Sequence, residues 1–274
     1  MSNFYGLIGE KLGHSLSPEI HSNILEKLNI KGTYNLFEIK RENLKTATEG
    51  LKALGCRGVN VTIPYKIDIM EHLDKISKEA EEIGAVNTVA FTKEGLVGWN
   101  TDYYGFGLTL KRAEINILNK KVVILGTGGA SNAVCQYLID YGIGEIIFVS
   151  RNAQEKLNKI KDFRVIGYSE LKGLEAKDLI INCTPCGMYP IINKSPVDCD
   201  ILSKFTEAVD LIYNPIETVF LNKSRELGLK TANGLYMLVA QAVASQEIWQ
   251  DVNIEDRTIE EIYNEIQLRG IWYG

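Results

Sequence analysis

The chain has 274 residues, enough for one large domain or two ordinary ones. With 45% hydrophobic and 24% charged residues it can bury a proper core, and a net charge of −5 argues against nucleic acid or an anionic membrane as its main partner. Met1-Ser2-Asn3-Phe4-Tyr5-Gly6 lacks the pattern of a secretory leader, no apolar run nears the roughly 20 residues of a membrane span, and the five scattered cysteines suit reduced thiols, so a cytoplasmic location is expected.

In chain order, Phe4–Gly9, Tyr34–Ile39, Gly58–Ile63 and Val86–Phe91 are short, β-rich and bounded by Gly, Pro or polar residues, which predicts strands. Between them, Pro18–Leu28 carries Ile20, Ile24 and Leu28 at helical spacing, and Asn43–Leu54 carries Leu44, Leu51 and Leu54. Ser17 before Pro18 reads as a helix N-cap with proline at the first helical position. Gly95–Asn100 reads as the last strand of this half, and Tyr103–Ala113 as a connecting helix. A second alternating unit opens with a strand at Lys121–Leu125. It continues through a helix at Ser131–Tyr141 and strands at Glu145–Val149 and Asp178–Asn182. Gly234–Trp249 and Thr258–Leu268 are helical by pattern, and the last of these is expected to return to the first domain. No internal repeat, low-complexity tract or long linker interrupts the pattern.

The strand Lys121–Leu125 runs directly into Gly126-Thr127-Gly128-Gly129-Ala130-Ser131 and then a helix, a variant of G-x-G-x-x-G in its required context. Gly126 permits the tight turn, Gly128 lets backbone approach a pyrophosphate, and the helix N-terminus offers oriented N–H groups and partial positive charge. Ser131 stands where the third glycine would be and is small enough for close helix–strand packing. A nucleotide-selecting acid is expected at the end of the second strand when NAD is bound. Here Ser150-Arg151-Asn152 follows Val149, and the planar arginine fork suits a 2′-phosphate, so NADP is the expected cofactor. The expected fold class is therefore α/β, with two open α/β domains, the C-terminal one a Rossmann-type dinucleotide-binding domain, and the active site in the cleft between them. The expected boundaries are 1–101 plus about 244–274 for a substrate-binding catalytic domain, and 102–243 for the NADP-binding domain.

A hydride carrier needs a second site that holds an alcohol or carbonyl and handles its proton. Polar residues stand at the ends of the predicted N-terminal strands: Ser15 and Ser17, Asn60 and Thr62, Lys66, Asn87, and Asn100-Thr101-Asp102. Ligands of open α/β sheets bind outside the carboxyl ends of strands, so these loops are expected to converge.

The chain resembles the shikimate dehydrogenase family in His14-Ser15-Leu16-Ser17-Pro18, Gly58-Val59-Asn60-Val61-Thr62-Ile63-Pro64-Tyr65-Lys66, Gly84-Ala85-Val86-Asn87-Thr88 and Gly98-Trp99-Asn100-Thr101-Asp102. The same holds for the Gly126–Ser131 loop, Asn182-Cys183-Thr184-Pro185, Asp210-Leu211-Ile212-Tyr213 and Gly234–Gln241, in family order over nearly the whole chain. The resemblance implies NADP-dependent interconversion of 3-dehydroshikimate and shikimate in chorismate and aromatic amino-acid biosynthesis, by a monomer or homodimer acting on a small molecule. It implies that Ser15 and Ser17 bind the substrate carboxylate, and that Asn60, Thr62, Asn87, Tyr213 and Gln241 hold the carboxylate and ring hydroxyls. Lys66 and Asp102 would be the catalytic pair at the reacting oxygen, both in contact with substrate. Gly126, Thr127, Gly128, Gly129 and Ala130 would cradle the pyrophosphate. Thr184, Leu211 and Gly234 would line the nicotinamide side, with Ser150, Arg151 and Asn152 at the adenosine phosphate. Burial of Lys66 would favour its neutral form and a close Asp102 carboxylate its charged form, so the two are treated as a dyad.

Other signals are discounted. Cys183-Thr184-Pro185-Cys186 has C-x-x-C spacing but overlaps the family's Asn-x-Thr-Pro turn. His14 and His21 are seven residues apart with no third ligand, so no metal is expected. His72 is placed on an exposed helix end. The family's usual Asn-Arg-Thr is here Ser150-Arg151-Asn152, which keeps only the arginine. The alternatives are a quinate/shikimate dehydrogenase with relaxed or NAD cofactor use, for which Glu155 is the candidate acid, and a catalytically idle sensor, disfavoured by the presence of Lys66 and Asp102.

Overall fold

Short apolar runs closed by glycine or by a turn form two six-stranded sheets among the residues described in this computed structural model, which are 3–13, 15–153 and 163–269. His14 and Glu155, both singled out in the sequence, lie outside them. The chain divides into two compact units, one of residues 3–105 with 239–269, the other of 106–153 with 163–238. The divisions fall inside helices, at 105/106 and 238/239, against the 101/102 and 243/244 expected from the sequence.

The first unit runs β1 (Asn3–Gly9), α1 (Ser17–Lys27), β2 (Gly32–Glu38), α2 (Leu44–Ala53), β3 (Gly58–Val61), β4 (Lys75–Ile76), α3 (Lys78–Ile83), β5 (Thr88–Thr92), β6 (Gly95–Trp99) and the start of α4 (Thr101–Arg112). Its sheet has the order β2-β1-β3-β5-β6-β4. β1 pairs in parallel with β2 and β3, whereas β5 is antiparallel to both of its neighbours, β3 and β6. That reversal puts the start of β5 on the same sheet edge as the ends of β1, β3 and β6. One sheet face packs on Leu44, Leu51, Tyr65 and Ile69, and the other carries Tyr5, Leu7, Leu25, Tyr34 and Trp249.

The second unit continues α4 and runs β7 (Lys121–Leu125), α5 (Gly129–Asp140), β8 (Glu145–Val149), β9 (Arg164–Ile166), α6 (Tyr168–Leu171), β10 (Leu179–Asn182), α7 (Cys199–Leu202), β11 (Glu207–Asp210), α8 (Val219–Glu226) and β12 (Lys230–Ala232). All pairs are parallel, in the order β12-β11-β10-β7-β8-β9. This is the doubly wound dinucleotide order, with its switch point between β7 and β10. Strands such as Val122–Leu125 and Leu179–Asn182 are buried throughout, as parallel strands covered on both faces require.

α9 (Leu235–Gln250) carries the chain back into the first unit, and α10 (Asp256–Arg269) follows. α10 lies against α1, where Asn23 Nδ2 donates to Glu265 Oε2 at 2.6 Å and Lys27 Nζ to Glu265 Oε1 at 2.8 Å.

One local expectation is corrected. Ser17 does not cap α1: the helix begins at Ser17, Leu16 occupies the cap position, and no side chain caps it. Ser15 Oγ instead accepts the Ser17 N–H at 3.2 Å, so the serine two residues upstream supplies the oxygen. His72 ends a short 3₁₀ turn, Asp68–His72, and is half-buried.

Candidate active site

Four loops meet at the shared edge of the first sheet. Lys66 follows β3, Asn87 precedes β5, and Asp102 sits in the first turn of α4, one residue beyond Asn100 and Thr101. Lys66 Nζ donates to Asp102 Oδ2 at 2.5 Å, with the two side chains 16% and 11% exposed. Asn87 Nδ2 donates to the other carboxylate oxygen, Asp102 Oδ1, at 2.8 Å.

The orientation of the Asn87 amide is not a free choice. Its Oδ1 accepts the backbone N–H of Thr101 at 2.7 Å, and a backbone N–H can only donate. The Asn87 NH₂ must therefore face Asp102, which leaves Asp102 Oδ1 no role but acceptor. Asp102 is thus held between the Asn87 amide at Oδ1 and Lys66 at Oδ2, and the mobile proton of the pair lies along the Lys66 Nζ–Asp102 Oδ2 contact. Two further N–H bonds of Lys66 remain for a ligand.

Behind this edge lies a buried hydroxyl and amide network. Asn60 Nδ2 reaches Ser245 Oγ at 2.9 Å and Thr88 Oγ1 at 3.0 Å, and Asn60 Oδ1 accepts from Tyr34 OH at 2.8 Å. Ser245 Oγ donates back to Gln241 O at 2.9 Å and lies 2.9 Å from Thr88 Oγ1 and 3.3 Å from Thr101 Oγ1. Asn60 is thus fully occupied within the protein, whereas Asn87 keeps one N–H. Unpaired polar atoms at such depth cost roughly 1–3 kcal/mol each, which is why every member is matched. Next to it, His21 stacks on Tyr34 with ring centroids 4.0 Å apart and 7° between planes. Its Nδ1 lies 2.9 Å from Gln246 Nε2, and Gln246 Oε1 accepts from Gln250 Nε2 at 3.0 Å. Burial pushes the His21 imidazole down to about 3, so it is neutral.

Of the other substrate candidates, Ser15 and Thr62 are half-buried, while Ser17 and Gln241 are buried in the first unit. Tyr213 belongs to the second unit and is half-buried, its phenol pushed up by burial. The sequence reading missed Tyr34, Thr88 and Ser245. Only Ser245 had a signal, since it stands four residues after Gln241 on one face of α9.

In the second unit the glycine loop follows β7 at the switch point. Gly126 has φ +99°, a left-handed conformation that favours glycine, and a Cβ there would lie 2.9 Å from Thr184 Cγ2. Gly128 faces open space: an added Cβ would meet nothing within 4 Å. No side chain caps α5, so its N-terminal N–H groups stay available to an anion. Ser131 is fully buried and its Oγ donates to Gly128 O at 2.6 Å, closing the loop on itself. Thr127, Gly129 and Ala130 complete the cradle and are half-buried. After β8, Ser150 Oγ accepts the Asn152 N–H at 3.2 Å. Arg151 is exposed and makes no ion pair among the described residues. An open glycine face, an uncapped helix and an unpaired arginine fit a dinucleotide that carries an extra phosphate. Thr184 follows β10 and Leu211 follows β11, beside Gly234. Among the described residues no group of three or more His, Cys, Asp or Glu could hold a metal, and no helix is long and apolar enough to cross a membrane.

The family model described as the shikimate dehydrogenase substrate binding domain matches residues 7–89, which lie in the first unit. The chain is 48% identical over 267 residues to a shikimate dehydrogenase (NADP(+)) of Clostridium perfringens, covering 97% of this chain and 98% of the relative. Among solved structures, a chorismate mutase/shikimate 5-dehydrogenase fusion protein from Clostridium acetobutylicum superposes with a TM-score of 0.96 at 51% identity, over 98% of both chains. A shikimate 5-dehydrogenase from Thermus thermophilus, solved in complex with NADP(H) and shikimate, gives 0.86 at 32% identity, over 96% of this chain and 99% of that one. Identity of this order along almost the full length of both chains, on a matching fold, makes this chain a member of the shikimate dehydrogenase family.

Proposed function

We propose that the chain is an NADP-dependent oxidoreductase that reversibly reduces 3-dehydroshikimate to shikimate, on the route to chorismate and the aromatic amino acids. It works in the cytoplasm on small molecules, as a monomer or homodimer. The first unit takes the substrate and the second the cofactor. The observation that carries this reading is the Lys66–Asp102 pair at the sheet edge, with its carboxyl orientation set by Asn87.

Ser15 and Ser17 donate hydroxyls to the substrate carboxylate, and Thr62, Asn87, Tyr213 and Gln241 hold carboxylate and ring hydroxyls. Asn60, whose amide is spent inside the protein, holds Thr88 and Ser245 in place behind them. Gly126, Thr127, Gly128, Gly129 and Ala130 hold the pyrophosphate. Ser150, Arg151 and Asn152 hold the adenosine phosphate, and Thr184, Leu211 and Gly234 line the nicotinamide side. When bound, the reduced cofactor supplies a hydride to the carbonyl carbon.

As negative charge develops on the carbonyl oxygen, the Lys66 ammonium stabilises it and transfers its proton from Nζ. Asp102 orients that ammonium. In the oxidative direction, neutral Lys66 accepts the hydroxyl proton. The test is spectrophotometric: purified enzyme should reduce NADP with shikimate, and far more slowly with quinate or with NAD. No shikimate-dependent NADPH formation would overturn the proposal.

A further inference from the structure

The mechanism makes no use of one buried acid, Asp210. It ends β11 and lies in register with Asn182, which ends the neighbouring strand β10. Both are fully buried, so neither touches a ligand. Asp210 Oδ1 accepts from Asn182 Nδ2 at 3.0 Å and from the Ile212 N–H at 3.1 Å, and Oδ2 accepts from Thr218 Oγ1 at 2.7 Å. Asn182 passes the order outward: its Oδ1 accepts both the N–H and the hydroxyl of Thr184, at 3.0 and 2.6 Å. Thr184 is the residue whose Cγ2 limits the space at Gly126 in the dinucleotide loop. On the other branch, Ile212 O accepts the Gly234 N–H at 3.0 Å, and a Cβ on Gly234 would collide with Leu211 O.

We infer that Asp210 is a positioning residue for the cofactor: one oxygen, Oδ1, sets both the Thr184 turn and the Leu211–Ile212 backbone, and thereby the pocket for the nicotinamide end. This rests on the cofactor reading proposed above. The element that matters is the acceptor at Oδ1 rather than the charge. Burial raises the Asp210 carboxyl to about 7, against the pull of its three donors, so charged and neutral forms coexist near neutrality. The ionisable side chains noted beside it are the Cys183 and Cys186 thiols, both pushed up by burial. Oδ1 accepts in either form, while the proton of the neutral form can sit on Oδ2 and face Thr218 Oγ1. Asparagine reproduces that neutral form.

The experiment is NADPH titration and steady-state kinetics on the full chain. Asp210→Asn should bind NADPH within about threefold of wild type. Asp210→Ala should raise the NADPH Kd and KM by roughly tenfold or more, the equivalent of a lost hydrogen-bonded anchor, with shikimate KM changed less than about twofold. If Asp210→Ala does not yield folded protein, Asn182→Ala cuts the relay one step downstream and leaves Asp210 its Ile212 and Thr218 donors. That variant should show the same split. Wild-type NADPH affinity in Asp210→Ala or Asn182→Ala, or equal damage from Asp210→Asn and Asp210→Ala, overturns the inference alone. A wild type that bound no NADPH would overturn the cofactor reading and this inference with it.

Discussion

Lowering the pH from 7 to 4 should destabilise the first unit by about 3 kcal/mol through His21 alone. The ring is fully buried, stacked on Tyr34 and tilted at 30° to Trp249, and its Nδ1 lies 2.9 Å from the Gln246 side-chain amide. Burial lowers the group from 6.5 to about 3, so the folded state binds fewer protons than the unfolded one. The sign follows: the contribution is complete above 6.5 and is lost as pH falls towards 3. At pH 4 the unfolded imidazole is charged and the folded one still almost neutral, which yields the figure above. His21→Phe keeps the stack but orphans the Gln246 amide, a cost of about 1–3 kcal/mol that does not vary with pH. Denaturant titrations followed by tryptophan fluorescence suit the question, because the described tryptophans, Trp99 and Trp249, both lie in this unit. Wild type should lose about 3 kcal/mol more than His21→Phe between the two pH values. Equal losses in both proteins would show that His21 can be protonated in place, and the burial argument would fail.

Lys66→Ala should lower kcat by about 10²–10⁴-fold with a modest change in shikimate binding, since it removes the group proposed to transfer the proton; a variant keeping half of wild-type kcat would remove Lys66 from the mechanism. Ser15→Ala and Ser17→Ala should each raise shikimate KM and leave kcat nearly intact, because hydroxyl donors to a carboxylate bind ground and transition states alike; unchanged KM in both would place the carboxylate elsewhere. Arg151→Ala should cut kcat/KM for NADP by roughly 10- to 150-fold while barely moving NAD, since the guanidinium has a bidentate partner only in the 2′-phosphate; a wild type using both cofactors equally would refute this. Mild oxidation should leave activity and the free thiols at Cys183 and Cys186 unchanged, because both are pushed up by burial and so poor in thiolate; reversible inactivation tracking both thiols would contradict it.

Strands with strong apolar runs, such as Lys121–Leu125 and Glu145–Val149, stand in the structure with the bounds their sequence implied. β4, β9 and β12 did not announce themselves, because two or three residues carry no periodicity. β11 was hidden for another reason: Glu-Ala-Val-Asp begins and ends on acids, and only pairing on both sides makes it a buried strand. At the site, Lys66, Asn87 and Asp102 could be selected from strand ends, but Tyr34 and Thr88 could not, and Ser245 had only its spacing from Gln241. Their hydroxyls look like ordinary surface groups until the fold buries them.

Local order is a short-range property, so the sequence alone determined the alternation of strands and helices, the glycine turn after β7 and the arginine after β8. Which edges coincide is a long-range property, and only tertiary structure could decide it. The antiparallel turn of β5 brings Asn87 to Asp102, across 15 residues of chain, and α9 brings Ser245 to Asn60 across 185. The protonation of the Lys66–Asp102 pair was undecidable from residue types, because burial and a neighbouring carboxylate pull in opposite directions. What tertiary structure decided is the orientation of the pair: the Thr101 N–H, set by the first turn of α4, can only donate, so the Asn87 amide turns its NH₂ to Asp102 Oδ1 and leaves Oδ2 to Lys66.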